Sequence, residues 1–201
     1  MTEQDKNRAV RALRESVYEL ESYRRWTGEW AKCQIREEKY PHPEFKGYGS
    51  IEAALTAITN MNGVLNQARG LLDQFKYDAQ HVDNEAEVYG DAEYYTDVLA
   101  ECEDEDNDRV ARALKHCMRD LRNWRDDTVC NVAAFYSHSK WSEQGSAGRR
   151  YPAEAAALEG IIRSESIWRK AKEKLSMFGP KGEADAEALR NDINYYVALL
   201  S

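Results

Sequence analysis

Apolar residues recur along this chain at spacings of three and four, the interval that places side chains on one face of an α-helix. Val10, Leu13, Val17 and Leu20 form one such stripe, and Val110, Ala113, Leu114, Cys117, Leu121 and Trp124 form another. The stripes stop at "YPHPEFKGYG", "SEQGSAGRRYP" and "MFGPKG", which hold most of the proline and glycine. Helix starts have their own chemistry. Ser50, ahead of "IEAAL", is an N-cap whose hydroxyl accepts a free backbone N–H, with Glu52 favourable in the first turn. Pro152 suits a first helical position, where its missing N–H costs nothing. "DEDNDRVARAL" supplies acid-rich caps before the middle stripe. The pattern predicts six helices, at 4–39, 51–80, 84–103, 107–140, 152–177 and 183–200, and so an all-α bundle.

Taken in threes, these helices have the same order of lengths: long, long, short. Sliding the first half onto the second at an offset of 101 pairs Arg8 with Arg109, Arg11 with Arg112 and Leu13 with Leu114. The same offset pairs Leu20 with Leu121, Arg24 with Arg125 and Thr27 with Thr128. A two-residue adjustment lays Tyr48 on Tyr151, Leu55 on Leu158, Ile58 on Ile161, Ala68 on Ala171, Leu72 on Leu175 and Phe75 on Phe178. Back at 101, Asp91, Tyr94, Tyr95 and Leu99 meet Asp192, Tyr195, Tyr196 and Leu200. Twenty of 75 aligned positions are identical, including Arg and Tyr-Tyr matches that helical patterning alone does not demand. The expected architecture is two tandem three-helix repeats, 1–100 and 101–201, related by a pseudo-two-fold and packed as one compact body. Leu55, Ile58, Leu72, Phe75, Leu158, Ile161, Leu175 and Phe178 are the expected core. Arg24 and Arg125 are expected between the repeats, in structural use or holding a carboxylate or a ligand, and Arg11 is expected to pair with Glu15 at the surface.

Charge breaks this symmetry. The chain carries 28 basic and 36 acidic residues, a net −8. Twelve of the acids lie in 83–108, with no Lys or Arg: Asp83, Glu85, Glu87, Asp91, Glu93, Asp97, Glu101, Glu103, Asp104, Glu105, Asp106 and Asp108. The remainder is left with 28 basic against 24 acidic residues. Helix N-termini account for some of these carboxylates. Regularly spaced carboxylates on a rigid helix also present charge at intervals resembling a phosphate backbone, which a cationic groove accepts.

Other chemistry is poorly supported. His42, His81, His116 and His138 form no HExxH motif and no zinc-like spacing with cysteine. Asp78-x-x-His81 lacks the second carboxylate–histidine pair of a di-iron bundle. Glu101-x-x-Asp104 and Glu105-x-x-Asp108 lack a matching ExxE on another helix to complete a magnesium site. No phosphate loop or nucleophile elbow occurs. "RKAKEK", Arg169 to Lys174, reads as a solubilising face, and the tryptophans and tyrosines read as packing rather than a base-stacking platform. Cys33, Cys102, Cys117 and Cys130 share no CxxC spacing and read as buried free thiols. The polar N-terminus lacks a signal-peptide core, so the cytoplasm is the expected compartment.

The expectation is a non-catalytic interaction protein without cofactor or metal. Its acidic 83–108 region would engage a protein partner's basic, nucleic-acid-binding surface as a nucleic-acid mimic. Inhibitors among the accessory proteins of mobile elements and phages do this kind of work. It would bind neither nucleic acid nor membrane directly. The alternative is a metal- or nucleotide-dependent all-α enzyme or ligand-binding bundle.

Overall fold

The computed structural model describes residues 1–42, 45–75, 85–99, 104–138, 151–178 and 185–201. Six helices and no strand occur among them: α1 (Glu3–Ile35), α2 (Ile51–Gln74), α3 (Glu85–Val98), α4 (Asp104–His138), α5 (Glu154–Phe178) and α6 (Ala186–Leu200). Their ends follow local chemistry. Thr2 and Asp5 form a reciprocal capping box at the start of α1. The Ser50 hydroxyl accepts from the Ala53 N–H at 3.1 Å, as its position predicts. Asp185 caps α6 in the same way, accepting from the Ala188 N–H at 2.8 Å. Pro152 falls in the turn before α5 and not at its first position, because Ala153 supplies the carbonyl that opens the helix. No helix of the described residues is long and apolar enough to cross a membrane.

The chain divides into two compact units, Met1–His81 with Ala184–Ser201, and Val82–Glu183. The first contains α1, α2 and α6, and the second contains α3, α4 and α5. Each long hairpin therefore receives its short helix from the other half of the sequence. A cut at residue 100 would separate α3 from the two helices it packs on.

Each unit has one core. In the first, Ala9, Leu13, Val17 and Leu20 of α1 meet Met61, Leu65 and Ala68 of α2 and Leu189, Ile193 and Tyr196 of α6. In the second, Ala111, Leu114 and Leu121 of α4 meet Ile167 and Ala171 of α5 and Val88, Ala92, Tyr95 and Leu99 of α3. Leu13, Leu20 and Leu114 are fully buried and Leu121 nearly so, each worth roughly 1.5–3 kcal/mol of transfer free energy.

The expected core of α2 and α5 needs correction. Leu55 is 54% exposed and Leu158 36%. Ile58, Leu72, Phe75, Ile161 and Leu175 are half-buried, and the Phe178 side chain lies outside the described residues. The inward positions are Ala54, Met61, Leu65 and Ala68 in α2, and Ala157, Ser164, Ile167 and Ala171 in α5. Alanines there let the helix backbones approach, while the larger leucines one position along point outward.

Candidate interaction surface

Helix α3 is held in its unit by a mixed apolar and polar contact. Val88, Tyr89, Ala92, Tyr95 and Leu99 are buried in the core. The Tyr89 phenol lies 2.6 Å from the Ser164 hydroxyl and donates to the Gly160 carbonyl at 3.2 Å. The Arg163 guanidinium sits 4.6 Å from the Tyr89 ring centroid. Gly160 has no side chain for a physical reason: a Cβ there would lie 2.1 Å from the Tyr151 hydroxyl. The Thr96 hydroxyl, buried on the same helix, donates to the Ala92 carbonyl at 2.6 Å.

This docking fixes which acids face outward. Glu87, Glu93, Tyr94 and Asp97 are exposed and share one side of α3 around the half-buried Gly90. Asp91 is only 4% exposed and engaged by neighbours, so it leaves the expected surface set. Its match in the other unit, Asp192, is 3% exposed and also engaged. Asp106 is exposed and ion-paired with Arg109, and Asp108 is half-buried. Glu85 lies in the first turn of α3, and Asp104 and Glu105 in the first turn of α4, where carboxylates oppose the helix dipole favourably. Asp83, Glu101 and Glu103 lie outside the described residues. Asp78 and His81, the one candidate carboxylate–histidine pair, lie outside them too. No group of three His, Cys, Asp or Glu side chains suited to a metal occurs among the described residues.

Positions related by the sequence offsets carry similar burial, which makes the charge difference local. Val88 and Leu189, Ala92 and Ile193, and Tyr95 and Tyr196 are all buried. Tyr94 and Tyr195 are 41% and 42% exposed, each edge-on to its neighbouring tyrosine. The outward positions of α3 are Glu87, Gly90, Glu93 and Asp97, whereas α6 has Ala188, Asn191, Asn194 and Ala198. At these four places one short helix presents three exposed carboxylates and the other none; the exposed Glu187 of α6 stands at the place that matches Ala86.

The same holds, with opposite sign, on α5. Its exposed face carries Ile162, Arg163, Ser166, Arg169 and Lys170, and α2 carries Thr59, Asn60, Gly63, Asn66 and Gln67 at the matching places. Reading Arg169 to Lys174 alone as a solubilising face missed this contrast, which becomes visible only when exposed positions are compared pairwise.

The matched arginines serve structural contacts, and Arg125 holds a carboxylate as expected. Arg24 donates to Asn62 Oδ1 at 3.2 Å and Arg125 to Glu165 Oε2 at 2.7 Å, each tying the two long helices of its own unit. Arg11 and Arg112 are buried, at 8% and 7% exposure, so Arg11 is not at the surface, and both arginines are engaged by neighbours. His116, also buried, is pushed down to about 3 by desolvation and then by the cationic Arg119, Arg112 and Lys115.

Two further groups were misjudged or undervalued. Cys33 and Cys117 are half-buried free thiols, and Cys130 is an exposed one. Tyr23, Trp26, Trp30, Tyr40, Phe45 and Tyr48 form a continuous ring network that folds the loop after α1 back on that helix. Gly47, at φ 67°, completes it, because a Cβ there would lie 2.4 Å from Trp30 Nε1. Asp127 and Asn131 stand at the positions matching Trp26 and Trp30, so this network belongs to one unit.

No protein-family model, curated protein or solved structure matches this chain.

Proposed function

We propose that this is a non-catalytic interaction protein, built by duplication of a three-helix unit, that offers the outer face of α3 to a partner's basic surface. The duplication rests on matched burial at matched positions, including a buried aspartate, an exposed tyrosine and an arginine bridge in each unit. Residues that packing requires are kept in both copies. The carboxylates at 87, 93 and 97 occur in one copy only, and that single contrast carries the functional reading.

The chemistry follows from the geometry. Glu93 and Asp97 are one helical turn apart, and Glu87 and Tyr94 lie on the same side, so charge is held on a rigid support. Exposed charge of one sign steers association with a surface of the other, and an aromatic ring among the charges supplies contact area. A partner groove that normally holds a nucleic-acid backbone has the required charge, and its occupation would inhibit the partner. Inhibition by charge mimicry is therefore the proposed mechanism.

The sister helix supplies the control. Glu87→Ala, Glu93→Asn and Asp97→Ala together give α3 the outward residues that α6 already carries without loss of helix. The measurement is displacement of a labelled DNA duplex from cationic nucleic-acid-binding proteins of the native host. The parent protein is expected to displace the duplex from its target, and the triple variant to need at least ~10-fold more protein. Equal displacement by both, or none by the parent across the host's such proteins, rejects the proposal.

A further inference from the structure

At matched outward places the second unit carries charge of opposite sign on two helices, and the first unit carries none. On α3 the face is Glu87, Glu93 and Asp97; on α5 it is Arg163, Arg169 and Lys170. The matching places are alanine or asparagine on α6, and asparagine or glutamine on α2. Both signs are thus absent at the matched places of the first unit, and within the second unit Arg163 of one face lies over the Tyr89 ring of α3.

The two faces also hold the apolar surface a contact needs. Ile162 is 70% exposed and Leu158 36%, and Tyr94 is 41% exposed among the acids. Along α5 the side chains of Ile161, Ile162, Glu165, Ser166, Arg169, Lys170 and Glu173 border a hollow of about 500 Å³. Glu165, the acid within this stretch, is already held by Arg125 at 2.7 Å and lies 3.6 Å from Arg169. Arg169 keeps its side chain 77% exposed despite that contact. Glu159 sits one turn before the basic residues, and Glu173 borders the hollow at its other end.

We infer that the second unit is self-complementary and that two copies of this chain associate, α3 of each against α5 of the other. Because α3 and α5 pack side by side in one unit, a two-fold axis between copies uses the same pair of faces twice. Each Tyr94 then fills the hollow beside Ile162, with Glu93 and Asp97 opposite Arg169 and Lys170. The contact is small. Helix α3 is roughly 20 Å long, so the buried area lies at the low end for specific interfaces, and the dimer dissociates in the micromolar range. This association shares the acidic face with the proposed function, and the dimer would hold that face covered until a partner competes for it. Its test uses no partner, so the two readings succeed or fail separately.

The test is sedimentation equilibrium of the full chain at low and high salt, with charge reversals on each face. The parent protein is expected to form dimers at about 100 μM in low salt and to lose them as salt shortens the Debye length from about 10 Å at 0.1 M to about 3 Å at 1 M. Glu93→Lys with Asp97→Lys, or Arg169→Glu with Lys170→Glu, should each weaken self-association at least 10-fold. Mixing the two reversed variants should restore complementary charge at both α3–α5 contacts and give a heterodimer, which also proves that both fold. A parent protein monomeric at every concentration and salt overturns the inference. So does a dimer indifferent to both reversals, or a mixture that stays monomeric while the parent dimerises.

Discussion

His116 shows how much a single buried side chain can reveal about its surroundings. Burial first, and the charges of Arg119, Arg112 and Lys115 next, hold its folded pKa near 3 against 6.5 for the free group. The unfolded chain therefore takes up a proton below about pH 6.5 that the folded chain refuses. Stability from this group is complete above that pH and falls as pH drops towards 3. Between pH 7.5 and 5 the loss is about 2 kcal/mol, and His116→Gln should remove that part of the pH dependence in urea titrations. An unchanged slope in the variant would place the histidine in solvent. Leucines separate just as clearly. Leu114→Ala, at a fully buried site, should cost roughly 2–5 kcal/mol, whereas Leu158→Ala, 36% exposed, should cost under about 1 kcal/mol. Comparable losses at both sites would contradict the observed inward stripe of α5.

Helices were legible in the sequence because their signals are local. Ser50 caps α2 where its hydroxyl predicted, and the stripe from Val10 to Leu20 is the buried face of α1. Leu55 and Leu158 face outward because α2 and α5 carry apolar residues on more than one side, and identity at matched positions does not report burial. The outward face of α3 was only partly legible: the acids were plain, but Asp91 turns inward and its neighbours do not. The Tyr89 contacts that fix this orientation join residues far apart in sequence, which no periodicity reveals. Tyr89→Phe removes the bond to Ser164 and should cost about 1 kcal/mol. Gly160→Ala would meet the far end of the Tyr151 side chain and should displace that ring, so a structure of the variant with Tyr151 unmoved would refute the close approach.

At the scale of the molecule, periodicity says which side of a helix is apolar and not which neighbour covers it. That is why a division at residue 100 looked natural from repeat lengths, while α3 and α6 each pack with long helices from the other half. A chain ending at residue 183 should consequently lose hydrogen-exchange protection in α1 and α2, whose core includes Leu189 and Ile193, and keep it in α3, α4 and α5. Protection lost equally in both units would contradict this separation of cores. The units also differ at matched outward places: Glu87, Glu93 and Asp97 on α3 and Arg163, Arg169 and Lys170 on α5 have no charged counterpart on α6 and α2. The most direct measurement is displacement of a labelled duplex from a cationic nucleic-acid-binding protein of the host, comparing the parent with the Glu87→Ala, Glu93→Asn, Asp97→Ala protein. The account predicts displacement by the parent, weakened by added salt, and at least ~10-fold poorer displacement by the variant at unchanged thermal stability. Displacement that is the same for both proteins would contradict it.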